Sequence, residues 1–268
     1  VRHLAPLFDL YVNDAFATAH RAAPSMVAFQ RLLPSAAGLQ LSAELAGLAA
    51  IVDAPARPAV FLLSGLKVSD GFSMMGRVLG DGTADRVLTA GVLGEIFLMA
   101  DGVALGEPTE HFVHDHNLAG YVDEAAALLA DHRERITLPV DVAVLDGGER
   151  RELTVEDLPV ELLCVDIGEA TIASYEDAIA TAGTIFANGP AGAYEQPGAD
   201  VGTRRLWAAV ANAPGVSAIG GGDTVASARR FVDLDDITFV STGGGALIRY
   251  VSGQRLPLLE AFGASGDR

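Results

Sequence analysis

From Pro58 onward the chain alternates between two patterns. AVFLL, RVLTA, VDVAVL, LLCVD, TIFAN, VSAIG and ITFVS are short, continuously apolar and often followed by glycine. Between them NLAGYVDEAAALLADH, EATIASYEDAIATA, GTRRLWAAVANA and TVASARRFV carry apolar residues at helical spacing. Unbroken apolar runs of strand length read as parallel strands covered on both faces, and their alternation with amphipathic helices predicts an α/β, doubly wound parallel sheet. In that architecture ligands sit outside the carboxyl ends of the strands.

The region ahead of Pro58 reads differently. LFDLYVNDAFATAHRAAPSMVAF predicts a strand and then a polar loop with a basic pair, and AAGLQLSAELAGLAAIV has the spacing of one long helix, ended by DAPARP. This helix is expected to connect the main domain to another lobe. LDGGERRELTVEDLP is polar and reads as a surface excursion. A chain of 268 residues, half of them hydrophobic, can build one large core or two smaller ones.

Charge narrows the partners. A formal net charge of -17 opposes non-specific binding to nucleic acid or to an anionic membrane, so an anionic substrate needs a local basic site. The single cysteine, Cys164, allows no internal disulfide framework and suits a reducing compartment. Apolar runs stop short of a membrane span and no leader-like segment precedes Val1, so a cytoplasmic protein is expected. Without an initiator Met, the chain is expected to begin within a longer gene. Of 18 basic residues, Lys67 is the only lysine. In a composition that favours arginine so strongly, its retention points to a need for a compact, mobile ammonium, although chance survival of one surface lysine is the plain alternative.

Two glycine triplets follow apolar runs and precede helix-like stretches: Gly220, Gly221 and Gly222 in IGGGDTVASARRF, and Gly243, Gly244 and Gly245 in FVSTGGGALIRYVSG. Glycine lets backbone amides crowd an anion at a helix start, a setting suited to phosphate. Neither the dinucleotide fingerprint nor the P-loop is present, since Val225 stands where the former needs its last glycine and no Gly-Lys-Ser/Thr occurs. Asp223 reads either as a helix cap or as a carboxylate for a nucleotide-bound Mg²⁺. IFANGPAGAYE and LSGLKVSDG place Asn188, Pro190, Glu195 and Lys67 after further strands. HFVHDH reads as a solvated loop rather than a transition-metal site. Asn13 and Asp14 read as structural or domain-closing rather than as acid and base, since in-line phosphoryl transfer needs positioning more than a base.

In order along the chain, YVNDAFATAHRAAPS, SGLKVSD, DIGEAT, ANGPAGAYE, IGGGDTVASARRF and STGGGALIRYVSGQRLPLLEAF resemble the phosphoglycerate kinase family, and AHRAAPSMVAF and LTAGVLGEIFLMADG resemble its archaeal branch. The resemblance spans essentially the whole chain. It implies a Rossmann-type three-layer sandwich forming a C-terminal nucleotide lobe over 58–268, a connecting helix over 36–57, and a remnant of an N-terminal triose-phosphate lobe over 1–35. It further implies phosphoryl transfer between 1,3-bisphosphoglycerate and ADP, giving 3-phosphoglycerate and ATP with Mg²⁺, in a monomer that closes about a hinge.

Carried over residue by residue, the resemblance makes Gly65, Lys67, Gly91, Gly168, Asn188, Pro190, Glu195, Gly220, Gly221, Gly222, Asp223 and Thr224 the nucleotide site. Asp223 is the metal-linked carboxylate and Glu195 the ribose acid. Lys67, Gly222, Gly245 and Arg21 are the catalytic set, with His20 and Arg21 on the phosphoglycerate. The chain departs from the family pattern at Ser64 and Leu66, and at Gly71, where a second lysine is usual. Most of the first lobe, with its Asp-Phe-Asn strand and arginine cluster, has no counterpart here. A non-catalytic nucleotide-binding fragment is therefore the main rival; a dinucleotide oxidoreductase, already weakened by the absent fingerprint, is another, and a purely structural protein would not need two glycine loops at one sheet edge.

Overall fold

The computed structural model describes residues 1–263; the last five residues of the expected nucleotide lobe, 264–268, lie outside the described residues. The strands are β1 (Tyr11–Asn13), β2 (Ser35–Ala37), β3 (Ala59–Leu63), β4 (Arg86–Thr89), β5 (Ile136–Thr137), β6 (Asp141–Asp146), β7 (Glu149–Thr154), β8 (Cys164–Ile167), β9 (Thr184–Asn188), β10 (Val216–Gly220) and β11 (Phe239–Ser241). The helices are α1 (Pro24–Val27), α2 (Leu39–Val52), α3 (Val68–Gly80), α4 (Gly91–Ala100), α5 (Glu107–Asp115), α6 (Tyr121–His132), α7 (Glu169–Ala180), α8 (Val201–Ala211), α9 (Gly222–Phe231), α10 (Gly245–Val251) and α11 (Pro257–Gly263).

Six parallel strands form the central sheet in the order β11-β10-β9-β3-β4-β5. Because side chains alternate across a strand, each apolar run feeds two cores at once. Ala59, Phe61 and Leu63 of β3 face one core, shared with α2, α3, α4, α6 and α10. Val60 and Leu62 face the other, shared with α7, α8 and α9. The continuously apolar patterns are thus explained by burial on both sides, and the fold is the doubly wound α/β sandwich that the alternation predicts. The chain runs outward from β3 through β4 to β5, then returns to lay β9 on the other side of β3. The β3–β9 boundary is the switch point of the sheet, where the two outgoing loops diverge and leave a crevice.

Two of the apolar runs correct the expectation. VDVAVL and LLCVD are not parallel strands of the main sheet: β6 pairs antiparallel with both β7 and β8 in a separate three-stranded sheet. Periodicity reports burial but not a strand's partner. The missed signal lay in the polar excursion, where Gly147 and Gly148 both adopt positive φ, 61° and 91°. That is the two-residue turn that closes a hairpin, so much of the excursion is β7. HFVHDH is likewise not a loop: His111 to Asp115 form the second half of α5 and His116 caps its end, while the Glu110 carboxyl accepts from the amides of Leu105 and Gly106 and secures the start of that helix.

From Phe16 to Val52 the segment ahead of β3 packs its buried side chains into the core on one face of the sandwich. β1 and β2 form a short parallel ladder, of which the sequence reading anticipated only β1. α2 buries Leu41, Glu44, Leu48 and Ile51 on one stripe. The amide of Leu258 donates to the Ala19 carbonyl, fastening the amino-terminal segment to α11.

Candidate functional site

At the switch point the loops after β3, β9, β10 and β11, together with the start of α4 and β8, enclose a crevice of two joined compartments. The polar compartment, about 140 Å³, is walled by Ser64–Lys67, Asp70, Asn188–Pro190, Gly221–Thr224 and Gly244–Gly245. The apolar one, about 380 Å³, continues from Gly65, Leu66, Pro190 and Asp223, which border both, to Gly91, Glu95, Cys164, Tyr194 and Glu195.

The first glycine triplet splits into separate tasks. At Gly220 any Cβ would overlap Leu247 Cδ2, so this glycine serves strand-to-helix packing. Gly221 caps α9 with φ 96°, which side-chain-bearing residues rarely adopt. Gly222 has nothing within 4 Å of its Cβ direction and leaves the first turn of α9 open to the polar compartment. The Asn188 side chain donates to the Gly220 carbonyl at 2.7 Å, and Thr224 Oγ1 accepts from the Gly189 amide at 2.9 Å. The ends of β9 and β10 are thereby clipped together. Ser64 Oγ, donating to the Gly189 carbonyl at 2.6 Å, brings in the β3 loop.

The second triplet is anchored from elsewhere. Glu44 of α2, fully buried, accepts from Ser241 Oγ at 2.8 Å, from the Thr242 amide at 2.7 Å and from Thr242 Oγ1 at 2.5 Å. Gly243 packs on the Phe16 ring, Gly244 is open, and Gly245 lies against the His20 imidazole. Burial, Arg21 and Arg249 together hold the His20 pKa below its ordinary value.

Asp223 is no helix cap. Gly221 takes that position, and the Asp223 carboxylate pairs instead with Lys67 Nζ at 2.9 Å, both side chains being two-thirds exposed. The one lysine and the candidate metal carboxylate therefore meet across the polar compartment. An exposed pair of this kind contributes only about 0–1 kcal/mol and opens readily. Asp70 lines the same compartment, and burial raises its pKa although Lys67 opposes the rise. Two carboxyl groups facing one ammonium fit a hard divalent cation that shares its coordination with phosphate oxygens. Among the described residues no group of three or more His, Cys, Asp or Glu is placed to hold a metal by itself.

Of the expected nucleotide set, all line the crevice except Gly168 and Gly220. Gly168 packs on Asp141, whose carboxyl accepts from the amides of Ala170 and Thr171 at the start of α7; its glycine is a matter of close packing. Thr224 borders the polar compartment with its hydroxyl already engaged by Gly189. His20 and Arg21 line neither compartment, although His20 backs the Gly245 wall. Gly71, where a second lysine is usual, is buried in α3 with its Cβ direction 2.9 Å from Leu93 Cδ2. Sequence reasoning passed over Glu44, Asp70, Glu95 and Tyr194. Glu44 had a readable signal, an acid on the apolar stripe of α2.

An open parallel sheet whose glycine-rich loops frame a crevice at its switch point places the protein in the doubly wound α/β class. The phosphoglycerate kinase family model matches residues 1–254. The phosphoglycerate kinase of Methanopyrus kandleri is 42% identical over 98% of this chain and 64% of its own length. That of Natronomonas pharaonis is 44% identical over 98% and 66%. The crystal structure of phosphoglycerate kinase from Pyrococcus horikoshii superposes with a TM-score of 0.91 at 35% identity, covering all of this chain and 67% of that one. The chain belongs to the phosphoglycerate kinase family, and it spans about two thirds of the length of these relatives.

Proposed function

We propose that this chain provides the nucleotide side of phosphoryl transfer between 1,3-bisphosphoglycerate and ADP, giving 3-phosphoglycerate and ATP. The observation that carries the reading is the joining, at one switch point, of a polar compartment rich in main-chain amides to an apolar one of a size suited to a base. The amides opening α9 and the second loop receive the polyphosphate, where fixed donors neutralise charge without reorganising. Glu195, on the exposed rim, takes the ribose. Asp223, with Asp70 beside the same space, would hold the Mg²⁺, which supplies charge neutralisation at the phosphates. Lys67, once released from Asp223, follows the transferring group as a point charge, with Gly222 and Gly245 leaving their amides accessible to it. Arg21 and His20 serve the phosphoglycerate.

The division at residues 35 and 57 belongs to this proposal, with 36–57 as the segment about which the lobes close, as do a cytoplasmic location and a monomeric state. Among the described residues no helix is long and apolar enough to cross a membrane. The placement of Arg21 outside both compartments favours one alternative, nucleotide binding without turnover by this chain alone.

Calorimetry with MgADP, with Asp223→Ala as the control, tests the nucleotide reading. Micromolar to millimolar uptake that Asp223→Ala weakens supports it, and absence of uptake by the folded wild type refutes it. Coupled turnover with ADP and bisphosphoglycerate then separates the enzyme from the binding-only alternative.

A further inference from the structure

The apolar compartment contains one group that its chemistry does not explain. Glu95 lies in the middle of α4, among Leu93, Gly94, Ile96, Phe97 and Leu98, all buried. It is 9% exposed, lines the compartment, and makes no hydrogen bond or ion pair among the described residues. Its carboxyl oxygens are not among the buried polar atoms left unpartnered, so they open onto the compartment rather than being sealed in the core; an acid in so apolar a setting still loses hydration that an apolar residue there would not need. Its retention there points to a partner that arrives from outside.

Resting on the nucleotide reading above, we propose that the Glu95 carboxyl is the specificity-determining group for the base, pairing with an edge of adenine in the apolar compartment. Adenine presents an amino donor beside a ring-nitrogen acceptor. A neutral carboxyl presents the complement: its C=O accepts from the amino group and its O–H donates to the ring nitrogen. Two such bonds in a desolvated pocket discriminate by leaving a buried group unpaired when the ligand lacks its half.

The environment favours the protonated form. Burial pushes the Glu95 pKa up to about 8 and is the sole cause of the shift, so no charge on α3, α6 or β4, which pack on α4, offsets it. From β8, Cys164 faces it, and the thiol is pushed up to about 11 by burial and by Glu95 itself. Tyr194, Glu195 and Asp223 complete the ionisable lining of the compartment. At neutral pH the carboxyl is an acid with one proton to donate; when ionised it can only accept, and the ring-nitrogen bond is lost.

The test is calorimetry of MgADP, and of the diphosphate of purine riboside, which lacks the 6-amino group, against wild type, Glu95→Gln and Glu95→Leu at pH 7 and pH 9. For wild type, ADP affinity falls about tenfold between the two pH values, the change expected when a group of pKa near 8 gives up its proton. Glu95→Gln keeps a neutral donor and acceptor, so its affinity stays within about threefold of wild type at pH 7 and the pH dependence disappears. Glu95→Leu loses about tenfold for ADP and less, about threefold, for the purine analogue. If either variant binds ADP like wild type at both pH values, or if the pH dependence survives in Glu95→Gln, the role of Glu95 is overturned while a response to Asp223→Ala keeps the nucleotide reading intact. If wild type takes up no nucleotide at either pH, both readings fall together.

Discussion

Two buried glutamates serve the crevice, Glu44 by anchoring a loop beside it and Glu95 by lining it, and the two are held in opposite ways. Glu44, on α2, receives three hydrogen bonds from residues 241 and 242 and anchors the start of the second glycine loop. Glu95, in the apolar compartment, receives none. A buried carboxyl whose acceptors are filled is part of the scaffold; one that has no protein partner and opens onto a cavity is left to meet a ligand.

The largest effect tests the first half of that contrast. Glu44→Ala leaves the Thr242 amide and two hydroxyls without their acceptor, and should cost about 3 kcal/mol in urea denaturation. A loss below about 1 kcal/mol would break the comparison.

The second half is tested by pH. The folded-state pKa of Glu95, about 8, lies above its ordinary value of 4.5, so between these values the folded protein holds a proton that the unfolded chain has released. Stability therefore falls as pH rises through this window and levels off above about pH 8. Asp166, raised to about 6 by burial despite the Arg150 ion pair at 2.9 Å, contributes a similar decline at lower pH. From pH 6.5 to 8 wild type should lose about 2 kcal/mol that Glu95→Gln does not lose; equal slopes would remove the contrast.

Smaller effects sharpen the picture of the polar end. Thr224→Val keeps the shape but deprives the Gly189 amide of its acceptor, and should cost about 1 kcal/mol, less than removal of Glu44, because the other donor to that hydroxyl, the Asn188 side chain at 3.3 Å, keeps its bond to the Gly220 carbonyl. Gly222→Ala meets open space and should change stability by less than about 0.5 kcal/mol, while the added methyl at the mouth of α9 weakens MgADP binding about tenfold in calorimetry. Should it destabilise the protein and leave binding intact, the third glycine of that triplet would be a packing residue like the first.

Much of this was legible in the chain, and the reasons for the failures are particular. Apolar runs such as AVFLL announced the parallel sheet because burial on both faces leaves a signature that depends on nothing distant. The same signature misplaced VDVAVL, whose neighbour β7 is polar and exposed and gave no hydrophobic cue. Both glycine triplets were found, yet their first members, Gly220 and Gly243, answer to Leu247 and Phe16, contacts that only the packed helices create. Lys67 and Asp223 were each singled out, but not as partners 156 residues apart. Glu95 carried no local mark because a single acid in GVLGEIFLMA looks like an ordinary exposed helix position until α4 is seen to be covered on every side.

The Lys67–Asp223 pair also has a consequence for where the mobile charge waits. The chain's only lysine rests on Asp223, and because both side chains are two-thirds exposed the contact holds the ammonium over the crevice without locking it there. The contact works as a parking place: it keeps a mobile positive charge stationed at the crevice mouth at almost no cost to its release.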